Sequence, residues 1–215
     1  MKNAIDAWKW LLQEVLDKGY SYVERDAREC IECMHLSVVV DDIHKSSELP
    51  ILKLSQITDW KYPALSDIAK GILVAKEDQY LYSYANRLFH YKKTLNQIDE
   101  FVIPKLKQNK YSRKAVAVLY DPLVDSLVES KEIPSITTFH FLIRSDALHV
   151  AVFIRSCDVF LGFPANVYQT SCILEYICEK LDLKKGKATF FFGSAHIMAE
   201  NTEYITSICH VNAEK

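Results

Sequence analysis

The sequence predicts one α+β domain over residues 1–215, and three observations carry that expectation. Helical spacing of apolar residues recurs in well-separated stretches near residues 4–16, 95–107 and 168–183. Runs rich in β-branched and aromatic residues lie between and after them, over 29–40, 115–119, 137–143, 148–154 and 188–192. No internal repeat, linker or shift of composition divides the chain, and 215 residues can bury one substantial core but leave little room for two.

Each element has a local reason. Ile5, Trp8, Leu11 and Leu12, with Val15 or Leu16, sit at helical spacing, and Lys18-Gly19 supplies a stop. From Glu29 the pattern alternates, then becomes the β-branched run Ser37-Val38-Val39-Val40, ended by Asp41-Asp42. Residues 41–66 carry Pro50 and Pro63 and read as loop with short helical pieces, with a helix near 64–75. Leu95, Ile98, Val102, Ile103 and Leu106 predict the next helix, joined by a polar turn to a short strand over 115–119. Arg144-Ser145-Asp146 between two strand runs predicts a hairpin. The 168–183 stretch reads as a buried helix closed by Lys184-Lys185-Gly186, and a strand over 188–192 then leads into Gly193-Ser194-Ala195-His196.

Composition excludes several classes. With 49% hydrophobic residues, 25% charged, 5 Gly and 6 Pro, the chain is neither collagen-like nor low-complexity nor disordered. Lys plus Arg total 26 against 28 Asp plus Glu, so a net charge of -2 gives no global attraction for nucleic acid or an anionic membrane. Any anion site must be local. No apolar run approaches the roughly 18 residues that span a bilayer, and the N-terminal stretch is amphipathic rather than signal-like. The 6 cysteines, Cys30, Cys33, Cys157, Cys172, Cys178 and Cys209, therefore read as reduced thiols of a cytoplasmic protein. Cys30-x-x-Cys33 with His35 lacks the second ligand pair of a structural zinc site, so no metal is expected. His90, His140 and His149 read as isolated structural residues, and no Gly-rich phosphate loop or nucleophile elbow is present.

The informative segment runs from Arg155 to Asn166, RSCDVFLGFPAN. A guanidinium offers a planar fork of donors and the adjacent Ser156 hydroxyl adds another, which together suit a phosphate. The Asn166 carboxamide offers a donor and an acceptor, the pair needed to read a pyrimidine edge with a carbonyl beside a ring N–H. The same residues also admit a plainer reading, an Arg155–Asp158 ion pair at a strand end.

This segment closely resembles the nucleotide-binding signature of thymidylate synthases. The likeness extends to Tyr82-Ser83-Tyr84 with Arg87, Asn96-Gln97-Ile98, Ser112-Arg113-Lys114, Tyr120-Asp121-Pro122 with Asp125, Ile133-Pro134 and Ala195-His196, in the family's order. It covers residues 80–200 well and the N-terminal segment more loosely, and is nearest to the compact archaeal-type branch. The resemblance implies a large mixed β-sheet flanked by helices and a homodimer whose active sites are shared. It implies that Arg155 and Ser156 hold the phosphate of a pyrimidine nucleoside monophosphate, with Arg113 and Lys114 reaching in from the neighbour. Lys114 keeps the charge of the family's arginine without its fork. Asn166 would read the base, His196 the sugar hydroxyl, and Tyr82 and Asp158 would join Ser135 in the catalytic set. Arg25 or Arg28 would serve an N-terminal phosphate loop.

Three departures from the family bear on activity. Pro134 is followed by Ser135, where the family has the cysteine whose thiolate adds to C6 and so activates C5 toward the methylene of methylenetetrahydrofolate. A serine hydroxyl without a dedicated base is a far poorer nucleophile near neutral pH. Met198 stands where a tyrosine shares the sugar hydroxyl with His196, and the folate-covering C-terminal tail of longer synthases is absent. Glu29 and Glu32 are candidates for the proton-relaying glutamate. The leading reading is one-carbon transfer to C5 of a pyrimidine nucleoside monophosphate, weakened or altered at Ser135. A non-catalytic nucleotide-binding homodimer and a pyrimidine nucleotide hydrolase using the same pocket are its rivals.

Overall fold

The computed structural model describes residues 1–57, 61–76, 83–127, 129 and 132–210. Among these residues six strands make one mixed sheet: β1 (Tyr20–Val23), β2 (Glu29–Val40), β3 (Ala115–Val118), β4 (Ile136–Arg144), β5 (Ala147–Asp158) and β6 (Lys184–Met198), in the order β1-β2-β6-β5-β4-β3. Neighbours are antiparallel except β5 and β6. A parallel pair needs a crossover, and α7 (Gly162–Leu181) supplies it.

The helices α1 (Ala4–Lys18) and α7 pack on one face of the sheet, α1 over β2 and β6 and α7 over β5 and β6. Toward them point Val38, Val40, Val150, Val152, Ile154, Phe190 and Phe192, all buried. The remaining helices are α2 (Leu49–Ile57), α3 (Leu65–Leu73), α4 (Tyr84–Phe89), α5 (Ile103–Gln108), α6 (Pro122–Asp125) and α8 (Thr202–His210). The opposite sheet face carries Val39, Phe153 and Phe191, each about two-fifths exposed, and the two phenyl rings stack with centroids 5.0 Å apart. This leaves a half-open apolar surface.

A row of distortion crosses the sheet and decides what its upper end can do. Pairing lapses at His35 opposite Gly193 and at Gly193 beside Arg155, then resumes in unchanged register, while β4 shifts register between Ile136 and Thr138. His35 takes φ 57. A Cβ on Gly193 would lie 2.6 Å from the Arg155 carbonyl oxygen, so this close approach requires glycine. Across the row the buried phase reverses, from Phe190 and Phe192 to Ala195 and Ile197 in β6, and from Val152 and Ile154 to Cys157 in β5. Polar residues 156, 158, 194 and 196 thereby leave the core face.

Several sequence expectations change here. The strand expected over 188–192 extends from Lys184 to Met198, and that expected over 148–154 extends to Asp158, because bulges break alternation without ending a strand. Helix α7 begins at Gly162 rather than 168 and closes at Asp182 in the left-handed conformation, so Lys184-Lys185-Gly186 belongs to β6. The 95–107 helix divides into a π turn over Gln97–Val102 followed by α5, with Ile103 N–H donating to the carbonyl of Ile98. Pro104, lacking an N–H and crowding the preceding turn, accounts for the widening. The hairpin turn is Ser145-Asp146, both at positive φ, as the favoured two-residue turn requires. The six cysteines are unpaired, and Cys30 and Cys33 do not converge: the Cys33 thiol donates to the Glu14 carbonyl, whereas Cys30 lies beside Tyr22.

Candidate functional site

The distorted row places Arg155 against the loop that carries Ser135. Its Nε donates to the Pro134 carbonyl at 3.0 Å and its Nη2 to that of Ile133 at 2.8 Å, while its backbone N–H donates to the Ser135 carbonyl at 2.9 Å. A guanidinium has five N–H groups, so three are left for a ligand. From the other side the Tyr84 hydroxyl accepts the Ile136 N–H at 3.3 Å. Movement of Arg155 therefore carries the Ser135 loop with it. Among the described residues no side chain is hydrogen-bonded to the Ser135 hydroxyl.

The Arg155–Asp158 ion pair allowed by the sequence does not form. Asp158 Oδ1 instead accepts the backbone N–H groups of Phe160 at 2.8 Å and Leu161 at 3.0 Å, which fixes the strand-to-helix turn. Burial holds its carboxyl above the usual carboxylate range, opposed by the Leu161 donor and by His196 nearby. The turn is pinned from outside as well. Trp8 of α1 donates its indole N–H to the Val159 carbonyl at 2.8 Å and stacks on Phe160, whose other neighbour is Tyr204 of α8.

Asn166, in the second turn of α7, is buried and its Nδ2 donates to the Cys157 sulfur at 3.5 Å. Its Oδ1 and one N–H are left for a ligand edge. Burial, with the Asp158 charge adding, pushes the Cys157 thiol well above its ordinary value, which disfavours the thiolate a nucleophile needs.

On the adjoining strands, His196 pairs in register with Glu32 and with Asp158. The Ser194 hydroxyl donates to Glu32 Oε1 and lies 3.3 Å from His196 Nδ1. Met198 is buried on the same strand. Arg28 is ion-paired to Asp26 at 2.7 Å on the surface, close enough to Asp158 to lower its pKa.

Ser135, Arg155, Ser156, Asp158, Asn166 and His196 thus gather at the distorted end of the sheet. Arg113 and Lys114 do not. They precede β3, whose first residue Ala115 is level with Phe141 and, through it, with Val150. Arg155 lies five residues farther along β5, about 16 Å at about 3.3 Å per residue, and two strands across. Within this chain the two arginines do not converge. Arg113 and Lys114 are exposed and help line a separate cleft of about 450 Å³ with Lys105 and Asn109. Tyr82 lies outside the described residues. Sequence reasoning missed the contributions of Tyr84 and Ser194; Tyr84 was visible only as a motif neighbour, and Ser194 needed the strand register to reveal it.

A second, more apolar cleft of about 380 Å³ lies between α3 and the start of α7, lined by Tyr62, Pro63, Asp67, Ile68, Leu161, Ala165 and Gln169. The Tyr62 hydroxyl donates to the Leu161 carbonyl at 2.5 Å. Its size and its apolar floor suit a flat aromatic ring. No group of three or more His, Cys, Asp or Glu side chains among the described residues is placed to hold a metal, and no helix there is long and apolar enough to cross a membrane.

Comparison with known proteins converges on one family. Residues 43–213 match the family model described as thymidylate synthase. A Methanococcoides burtonii protein named "Putative thymidylate synthase" is 33% identical over 204 residues, covering 94% of this chain and 90% of that protein. A Methanosarcina barkeri protein of the same name is 31% identical over 96% of this chain and 92% of its own. The thymidylate synthase of Buchnera aphidicola is 32% identical over 105 residues, 49% of this chain and 39% of its own.

Proposed function

Because this chain belongs to the thymidylate synthase family, we propose that it binds a pyrimidine nucleoside monophosphate and acts at C5 of the base. Arg155 and Ser156 take the phosphate, Asn166 reads the carbonyl and ring N–H of the base, and His196 meets the sugar hydroxyl. Asp158 sets the turn beneath the base, and Tyr82 and Ser135 complete the catalytic set. The observation that carries this reading is the Arg155 guanidinium, which clamps the Ser135 loop and has three N–H donors left over, one residue before Ser156 at the end of the sheet that also carries Asp158 and His196.

The active unit is a homodimer with shared sites. Its support is twofold: Arg113 and Lys114 do not converge on Arg155 within one protomer, and the sheet face with Val39, Phe153 and Phe191 is apolar and half-exposed. Methylenetetrahydrofolate would supply the one-carbon unit when bound, with Tyr62, Leu161 and Ala165 offering an apolar wall to its ring. The chain's own part is to orient the base and keep water from C5.

One observation favours a second reading. The Ser135 hydroxyl has no hydrogen-bonded base among the described residues, as expected of a nucleotide-binding dimer without turnover. Calorimetric titration with 2′-deoxyuridine and uridine 5′-monophosphates tests the site: Arg155→Ala should weaken binding more than about tenfold, as loss of a charge-assisted phosphate contact requires. Unchanged affinity removes the assignment. Mass spectrometry with and without methylenetetrahydrofolate then separates the chemistries. A folate-dependent gain of one carbon establishes C5 transfer, free base establishes hydrolysis, and bound nucleotide without product in the native chain but turnover in Ser135→Cys establishes that the nucleophile alone is missing.

A further inference from the structure

The hydrogen bonds on β2 and β6 define a direction of proton donation that reaches the ligand side of His196. Glu32 and His196 face each other in the antiparallel register, and Ser194 lies two residues before His196 on the same face. The Ser194 hydroxyl has one proton, and it is directed to Glu32 Oε1. A carboxylate accepts and returns no proton, so the serine oxygen can offer His196 only a lone pair. The 3.3 Å contact to Nδ1 is then a hydrogen bond only when Nδ1 carries the hydrogen.

We infer that Glu32 and Ser194 are positioning residues that lock His196 with its proton on Nδ1, turning the unprotonated Nε2 into an acceptor selective for a free ligand hydroxyl. The consequence is chemical. A lone pair on Nε2 welcomes an O–H donor and repels an ester, phosphate or carbonyl oxygen at the same place. The nearest strand neighbour on the His196 side, Met198, is buried and contributes no hydroxyl to the contact. The sugar hydroxyl as the group received rests on the function proposed above; the tautomer does not.

Nitrogen-15 imidazole spectroscopy of the full chain, recorded where the ring is neutral and assigned with His196→Gln, reads the tautomer directly. The expected result is a protonated Nδ1 and an unprotonated Nε2. Glu32→Ala, which removes the acceptor of the Ser194 proton, and Ser194→Ala should each move the proton to Nε2. A native Nε2–H form, or variants with the native tautomer, overturns the inference. Titration then compares 2′-deoxyuridine 5′-monophosphate with its 2′,3′-dideoxy analogue. The native chain should prefer the hydroxyl-bearing nucleotide by about tenfold, the worth of one well-placed hydrogen bond. Ser194→Ala should lose that preference while binding the dideoxy compound as before, which a general loss of folding could not do. Equal native affinities overturn the hydroxyl selectivity. Failure of both nucleotides to bind refutes the proposed function and its ligand, while the spectrum still decides the tautomer.

Discussion

Replacing Gly193 with Ala perturbs the sheet at the point where the fold makes the site. The new methyl carbon would start 2.6 Å from the Arg155 carbonyl oxygen, and ordinary contact begins at 3.4 Å, so one strand must yield by roughly 0.8 Å. Both partners are backbone, with no flexible side chain to absorb the clash. Overpacking of this kind costs about 1–3 kcal/mol. For a chain of this length that corresponds to a fall in melting temperature of roughly 2–12 °C. The displacement also reaches the ligand face, because the Arg155 N–H bonds the Ser135 carbonyl at 2.9 Å and its guanidinium holds the two residues before it. Lengthening that bond by a comparable amount takes it to roughly 3.7 Å, outside hydrogen-bonding range. Scanning calorimetry and nucleotide titration on the same preparation separate the two effects. An unchanged melting temperature and unchanged affinity would refute the claim that the distorted row needs glycine and positions Arg155. Lost stability with native affinity would confine the row to a structural part.

Two further predictions use groups buried near or behind this site. The Asp158 carboxyl is raised by burial, so its neutral form is the one the fold favours; its stabilising contribution is present below its unfolded pKa and lost as pH rises through the folded value. Asp158→Asn keeps an oxygen for the Phe160 and Leu161 N–H groups, and its advantage in unfolding free energy over the native chain should grow from pH 4 to pH 7 in denaturant titrations. A pH-independent difference counts against the assignment. Behind the site, Arg87 donates to Asp125 at 2.9 Å with both side chains buried, so Asp125→Ala should cost about 3 kcal/mol, toward the lower end because Asp121 remains 3.9 Å from the guanidinium. A denaturation midpoint equivalent to less than about 1 kcal/mol of loss would show that the network does not depend on this pair.

The sequence made the elements legible where one periodicity persisted. Helix α1 follows from Ile5, Trp8, Leu11 and Leu12, and the β4–β5 hairpin from its turn residues. It failed where a bulge reversed the alternation: Gly193 read as the end of a strand because Phe190 and Phe192 are buried before it, and Ala195 and Ile197 after it. That is a limit of pattern reading, since a reversal of phase and a strand end look alike in one dimension. The site shows the same division. Arg155, Ser156, Asn166 and His196 stood out as candidates by residue type and family likeness, and Glu32 as a candidate proton relay, whereas Ser194 and its place between Glu32 and His196 appear only when β2 and β6 are set side by side.

The position of Arg113 leads to the most demanding test of the proposed assembly. Arg113 precedes β3 at one end of the sheet and Arg155 sits on the distorted row at the other, so a site needing both draws one from each protomer. A variant with Arg113→Ala and a variant with Arg155→Ala should each bind nucleotide poorly as homodimers. When the two are mixed, unfolded and refolded together, half of the dimers are expected to be mixed. In each mixed dimer the shared geometry concentrates both losses in one site and leaves the other native. About one quarter of all sites should then recover native affinity, as the two-fold symmetry of a dimer dictates. Titration stoichiometry measures this fraction directly, and a melting curve confirms that each parent refolds. No recovery from two well-folded parents would mean that Arg113 and Arg155 do not serve one site across an interface, and the shared-site dimer would have to be abandoned even if each protomer still binds its nucleotide.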